Sequence, residues 1–547
     1  TNAVAIVGPV ACVSLAISAR ARLPWRDQLC RILAEQSRRQ AGAMPAKRIL
    51  VMCFGSRGDT QPHVAFAARL KSEGYQVLAC CNVNAVELFR GFGIQAEGVH
   101  FDCEKFLREN ERIRKAMESG AAATFADAMA RAFAEHFPRE FKAQWEAAKV
   151  FSPDAITSCC LVYLQASAIA QALRVPCLLC DLGTFSMLPM SNDRNMVTEV
   201  HESCCHALVA CLLVSALKVQ FCFLGKTTLR KAIRETLGPT IKDEPLLGED
   251  SATLVTEWMQ PRTPQFFAVS PHILPKFTDL PTNYAKRTHW TGYWVLDKKQ
   301  QMQHIASGND SFGGGDIGTK VNKFIAAGSG QAPVYIGWGS MVAVSPEHMT
   351  ALAVGALKHA GLRGIVLGGF AKLEAARLID PTLIAYAQEH VLFLQSAPHE
   401  WLLPQCSVVV HHGGAGTLAA GLRSGRPQIV TPCIADQFDN ARLVERCGLG
   451  RGLPKLSSLH ATHLGDALKA SAADARMAER ARETGASLVT EDGVGVAAKA
   501  LDDFFAEEVS TGAWLRSFET ALQRRRSRPV GWFRIIGRVC CGAQPFG

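Results

Sequence analysis

SVVVHHGGAGTLAAGLRSGRPQIVTP, residues 407–432, is the stretch on which the fold turns. A β-branched run ends at His411 and His412, and glycines follow at 413, 414 and 416. Ala415 and Thr417 then open an alanine-rich segment of helical composition, and a second apolar run begins near Gln428. A strand that becomes a helix through glycines leaves bare backbone N–H groups at the positive end of a helix dipole, which is a site for an anion. A histidine at the same turn would add a second kind of phosphate ligand.

The alternation continues on both sides. VYIGW (334–338), GIVLG (364–368), VLFL (391–394), SVVVH (407–411) and QIVT (428–431) read as strands separated by helices. Nearer the start, RILVMCF (48–54), QVLACC (76–81) and CLLCDL (177–182) read the same way. Strand and helix in alternation predict parallel sheets covered by helices on both faces. The expected fold class is therefore α/β: two Rossmann-like domains with a cleft between them, ligands gathering at the carboxyl ends of the strands. The first domain is expected over 47–298 and the second over 332–510. The glycine- and serine-rich ASGNDSFGGGDIGTKVNKFIAAGSGQ (306–331) places a linker or insertion over 299–331.

A chain of 547 residues is too long for one ordinary core. Its 48% hydrophobic and 20% charged residues describe a globular protein and exclude a disordered one. The net charge of +10 is uneven: from Thr511 onward seven arginines face one acidic residue, Glu519. The excess thus belongs to a basic tail, 511–547, rather than to a nucleic-acid-binding core. With Trp532, Phe533, Ile535, Ile536 and the Cys540–Cys541 pair, that tail suits either an anionic membrane surface or a solvated, disordered end. The 19 cysteines sit in apolar runs without zinc-ligand spacing, which points to buried thiols in a reducing, cytoplasmic compartment and to no structural metal. Residues 1–46 read as a leader, either loosely packed or the remnant of a targeting segment. HALVACLLVSALKVQFCFLG (206–225), broken by Lys218 and Gln220, reads as a core helix rather than a membrane span.

Three loops that follow strands in the second half carry polar chemistry. Gly339 and Ser340 in GWGSM offer close backbone approach and a hydroxyl. His412 to Thr417 suit a phosphate, and Asp436 and Gln437 suit a polyhydroxylated group. Each alone has a plain structural reading, as a tight turn, a paired histidine or an uninformative dipeptide; their recurrence at successive strand ends points to a nucleotide-sugar. In the first half, CFGSRGDTQPHV places Asp59 just past a strand. It is either a general base toward an acceptor hydroxyl or a cap for a helix beginning near Pro62, and pairing with Arg57 would weaken it as a base.

These segments resemble UDP-dependent glycosyltransferases of the GT-B fold, and within them the sterol 3-β-glucosyltransferase branch. The resemblance rests on GSRGDTQP (55–62), APVYIGWGSM (332–341), APHEWLLPQCSVVVHHGGAGTLAAGLRSGRP (397–427) and Asp436–Gln437, with support from VSPHILPKFTDLP and WTGYW (290–294). It covers about Arg48 to Phe505. It implies inverting, metal-independent transfer of a hexose, glucose in that branch, from a UDP-sugar to the hydroxyl of a sterol or similar lipophilic alcohol. The UDP-sugar is a co-substrate; no cofactor, metal or nucleic acid is implied.

By position the resemblance makes Asp59 the base. It assigns the donor to Ser56, Arg57, Gly339, Ser340, Ala397, His399, His412, Gly413, Gly414, Ala415, Gly416, Thr417, Asp436 and Gln437. Among these, Ser340, His412 and the amides of Gly414 to Thr417 would hold the diphosphate, and Asp436 and Gln437 the sugar hydroxyls. His399 would lie near the uracil. The chain departs from the branch in ADQFDNARLV, where the branch continues to PFWG, and in CDLGTFSMLPMSNDRNM (180–196), which lacks an aromatic, proline-rich acceptor loop. A polyketide or phenolic acceptor, or a binding protein that has lost turnover, are the alternatives.

Overall fold

Seven short strands, all parallel, build the first sheet: β1 (Arg48–Met52), β2 (Gln76–Asn82), β3 (Gln95–His100), β4 (Ala155–Ser158), β5 (Cys177–Asp181), β6 (Gln265–Phe267) and β7 (Thr288–Trp290). They run in the order β3-β2-β1-β4-β5-β6-β7. Six more form the second: β8 (Val334–Gly337), β9 (Gly364–Leu367), β10 (Val391–Leu394), β11 (Val409–His411), β12 (Gln428–Val430) and β13 (Gly450–Gly452), in the order β10-β9-β8-β11-β12-β13. This is a computed structural model; it describes residues 46–183, 229, 231–241, 262–273, 286–434 and 436–526. The leader 1–45, most of the 180–196 segment, the 206–225 stretch and the tail from 527 lie outside the described residues.

In both sheets the order reverses beside the first strand, between β1 and β4 and between β8 and β11. At such switch points the loops leaving neighbouring strands diverge and open a crevice at the carboxyl edge. The strands read as unbroken apolar runs because helices cover both faces, and Ile49 to Met52 and Val409 to Val410 are fully buried. The described cysteines are free thiols, most of them buried within this core.

Two expectations change. Of the two readings given to 299–331, linker or insertion, the flexible linker is the one that changes, because the stretch is folded. It holds the helices Lys298–Ala306 and Ile317–Ala326, the first opened by a capping box of Asp297 with Gln300. Phe312, Ile317 and Val321 are buried, so the glycines at 308 and 313, both at positive φ, serve as turns between packed pieces. Likewise, the basic tail does not begin at 511. The helix Ala513–Arg526 buries Trp514 and Phe518, and the Trp514 indole donates to Thr263 Oγ1 at 2.8 Å.

The chain thus crosses between the sheets twice, after β7 and again just before the helix Gly493–Phe504. That helix lies against the helix Arg57–Ser72 of the first half. Lys47 Nζ bonds Asp502 at 2.9 Å and Arg69 bonds Asp492 at 3.0 Å. The two crossings touch: a Cβ on Gly493 would stand 2.5 Å from the Tyr293 carbonyl oxygen and 2.6 Å from that of Gly292. Only glycine allows this approach.

Candidate active site

The helix that carries Asp59 starts at Arg57, not near Pro62. Asp59 is its third residue, and its Oδ2 accepts the Ser56 amide at 2.7 Å and the Ser56 hydroxyl at 2.9 Å. The carboxylate therefore serves as part of a helix-start capping box, and the turn before it needs a glycine. Gly55 has φ +138, and a Cβ there would stand 2.4 Å from Asp59 Oδ2. Burial raises the Asp59 pKa, opposed by the Ser56 hydroxyl and amide. That is the direction a general base needs.

Arg57 does not neutralise it. Its Nε donates to Gln61 Oε1 at 2.9 Å, its Nη1 to the Ser311 carbonyl, and its guanidinium lies 4.4 Å from the centre of the Phe312 ring. Burial lowers its pKa to about 10, so it stays charged at neutral pH. Its Nη2 is buried and has no partner among the described residues.

Across the cleft, the helix Ala415–Arg423 starts at Gly414 with no side chain capping it. Its first N–H groups are thus available to an anion. Behind them His411 is locked. Its Nδ1 accepts the Gly413 amide at 3.0 Å, so its Nε2 carries the proton donated to Gln428 Oε1 at 2.7 Å. His412 fills the space between two glycines. A Cβ on Gly339 would stand 3.0 Å from its Cε1, and one on Gly414 2.4 Å from its Nε2. Its Nδ1 is buried without a partner among the described residues. Burial, then the neighbouring His411 and His399, push its pKa down to about 3, so the ring is neutral and can offer a hydrogen bond but no charge.

The two helix starts meet. A Cβ on Gly416 would stand 3.0 Å from the Gly58 Cα. The turn Ser56–Asp59 thereby abuts the start of the helix Ala415–Arg423, Gly339 lies against the His412 ring, and Ser340, next to Gly339 in the chain, is buried. Asp436 joins them at the far end: burial raises its pKa to about 7, with the charge of Asp59 the next cause. Ala397 is buried beside the helix turn of His399, whose Nε2 is 2.9 Å from the Tyr335 hydroxyl. Gln437 is turned away from the expected role. Its Oε1 accepts the amides of Cys433 and Ile434 at 2.8 and 3.1 Å, and its Nε2 faces the Met341 sulfur, so it ties the loop together.

The sequence reading missed Gln428, Tyr335 and the Gly58–Gly416 contact. A glutamine opening an otherwise apolar strand was the available signal for the first, since a buried amide must find a partner. The other two depend on the distance between separate elements, which no local pattern encodes.

Residues 383–495 match the family described as Erythromycin biosynthesis protein CIII-like, C-terminal domain. Among solved structures, the chain is similar to the glycotransferase of kitacinnamycin, with a TM-score of 0.55 and 19% identity over 84% of this chain and 99% of that one. The chain has the GT-B fold. Among curated proteins, this GT-B chain is 28% identical over 476 residues to a sterol 3-beta-glucosyltransferase of Saccharomyces cerevisiae (strain YJM789), covering 82% of the chain. It is 26% identical over 502 residues to one of Arabidopsis thaliana, covering 91%. The chain spans 34% of the length of the yeast relative and 74% of the plant one. Among its described residues no helix is long and apolar enough to cross a membrane.

Proposed function

We propose that this GT-B chain transfers a hexose, glucose by its relatives, from a UDP-sugar to the hydroxyl of a sterol or similar lipophilic alcohol, with inversion and without a metal. The observation that carries the reading is the meeting of Gly58 and Gly416, which sets the carboxylate of Asp59 opposite an uncapped helix start. The names of the yeast and plant relatives support the acceptor class.

In this reading the diphosphate lies against the amides of Gly414 to Thr417, the Ser340 hydroxyl and His412, with Ser56 and Arg57 closing from the other side. The acceptor oxygen attacks the anomeric carbon as the bond from that carbon to the UDP oxygen breaks. Asp59 takes the hydroxyl proton, and the negative charge growing on UDP is met by dipoles already in place. Asp436 holds sugar hydroxyls; Gln437 keeps its loop in shape. The ring of His399, tethered to Tyr335, stands at the uracil end with Ala397.

Incubating the protein with UDP-glucose and a panel of sterols and phenolics, with products read by mass, tests this directly. A glucosylated sterol is expected. A glucosylated phenolic or polyketide instead would move the acceptor class, and UDP binding without release of UDP in the presence of any acceptor would leave a binding protein. The basic end from Thr511, whose apolar and cysteine residues lie beyond 526, is proposed as a contact for anionic membranes; unchanged co-sedimentation with anionic liposomes after removal of residues past Ser510 would count against that.

A further inference from the structure

The helix Glu111–Ser119 of the first half ends at Gly120, φ +71, whose amide bonds Ala116. The last carbonyls of a helix have no partner within it. Here those of Glu118 and Ser119 are met from the other side of the cleft: the Ser457 hydroxyl donates to the Glu118 carbonyl, and Lys455 Nζ to that of Ser119 at 3.0 Å. An ammonium at the negative end of a helix is a favourable cap. The loop that supplies these donors is itself bonded to the loop of Asp436. Leu453 donates to the Val430 carbonyl at 2.8 Å and Leu456, fully buried, to that of Pro432 at 2.9 Å. The next amides, of Cys433 and Ile434, rest on Gln437. A Cβ on Gly120 would stand 3.6 Å from Lys455 Cδ and 3.8 Å from the Cys433 carbonyl oxygen, so the helix end lies directly on this assembly.

We propose that Lys455 and Ser457 are positioning residues that fasten the Asp436–Gln437 loop to the opposite wall of the cleft, fixing where the donor sugar sits. A hydrogen-bonded path runs from the end of the Glu111–Ser119 helix through Lys455 and Ser457 to Pro432 and on to Gln437. Lengthening any part of it lets the loop move away from Asp59. The proposal rests on Asp436 and its loop being the donor-sugar site, as argued above.

The test uses the full chain in two measurements. Amide exchange without ligand is followed in Lys455→Met and Ser457→Ala; exchange is expected to quicken together at 118–121 and at 431–437. In parallel, Lys455→Met is expected to raise the KM for UDP-glucose roughly five-fold, the net worth of one ordinary hydrogen bond, with kcat and the Kd for UDP alone little changed. Lys455→Arg, which keeps charge and donors, restores the wild-type KM. Exchange at 431–437 identical to wild type would overturn the fastening. Faster exchange with an unchanged KM would overturn its role in placing the sugar. Coupled exchange in a wild-type protein that neither binds nor turns over UDP-glucose would leave the fastening and overturn the donor reading instead.

Discussion

Gly58 and Gly416 face each other across the cleft with unequal room. A Cβ on Gly416 would stand 3.0 Å from the Gly58 Cα and 3.3 Å from its carbonyl oxygen, whereas one on Gly58 would stand 3.7 Å from the Gly416 nitrogen. The first is a tight approach to backbone, which must give by a few tenths of an ångström; the second is ordinary contact. Gly416→Ala should therefore push the two helix starts apart and weaken UDP about ten-fold, while Gly58→Ala stays within about two-fold, since only the former displaces a hydrogen-bond donor set. Calorimetric titration with UDP separates the two; equal effects would mean that the contact does not set the width of the site.

Asp59→Asn should abolish transfer and leave UDP binding intact, because the amide oxygen can still accept from Ser56 and keep the helix start. In the wild type the base must be ionised, and burial raises its pKa. The rate should accordingly fall as pH drops through that raised value, an acid limb displaced upward from the usual carboxylate range. A pH–rate profile reads it, and full activity of the asparagine variant would remove Asp59 from the chemistry.

Asp436 should cost the protein stability at alkaline pH. Its folded pKa, raised to about 7, exceeds its unfolded value, so the folded state holds the proton more tightly. Stability from this group is fully present below the unfolded value and is lost as pH rises through 7. Asp436→Asn should thus raise the melting temperature at pH 8 and hardly change it at pH 4, while impairing transfer, as a residue kept for function at the expense of stability would. Melting curves at the two pH values decide it.

The histidines work in the opposite sense. Burial, the first cause for each, pushes His399 and His411 down to about 4 and His412 to about 3. The folded state refuses protons that the unfolded chain accepts below the ordinary histidine value of about 6.5. Stability should hold above that value and decline steadily from pH 6.5 toward 4. His411→Gln, which can keep an amide bond to Gln428, should soften that decline in thermal denaturation scans; an unchanged slope would show that His411 is not neutral in the fold.

How much of this was legible in the sequence depended on how local the cause was. The strands around His411 and Gly339 are apolar runs closed by glycines, and each was readable from its own residues. β13 is Gly-Arg-Gly, a strand only because it pairs with Gln428–Val430, and β6 and β7 have three residues each. Asp59 could be read as a cap or as a base; the structure makes it both a capping residue and a wall of the cleft, because the Ser56 turn aims one carboxylate at both places. For Gln437 the residue type alone suggested a sugar ligand, and only the fold of the 433–434 turn shows its carbonyl already taken. The glycine-rich 306–331 stretch misled for the reverse reason: its glycines mark turns, and the burial of Phe312 and Val321, set by distant partners, does the ordering.

The touching crossings at Gly292 and Gly493 have a mechanical consequence. The two passages of chain that join the halves press on each other at that point, so neither can shift there without displacing the other. A bulkier residue at 493 would therefore disturb both joining passages at once, and any effect on the gap between Asp59 and Gly414–Thr417 would be common to every ligand.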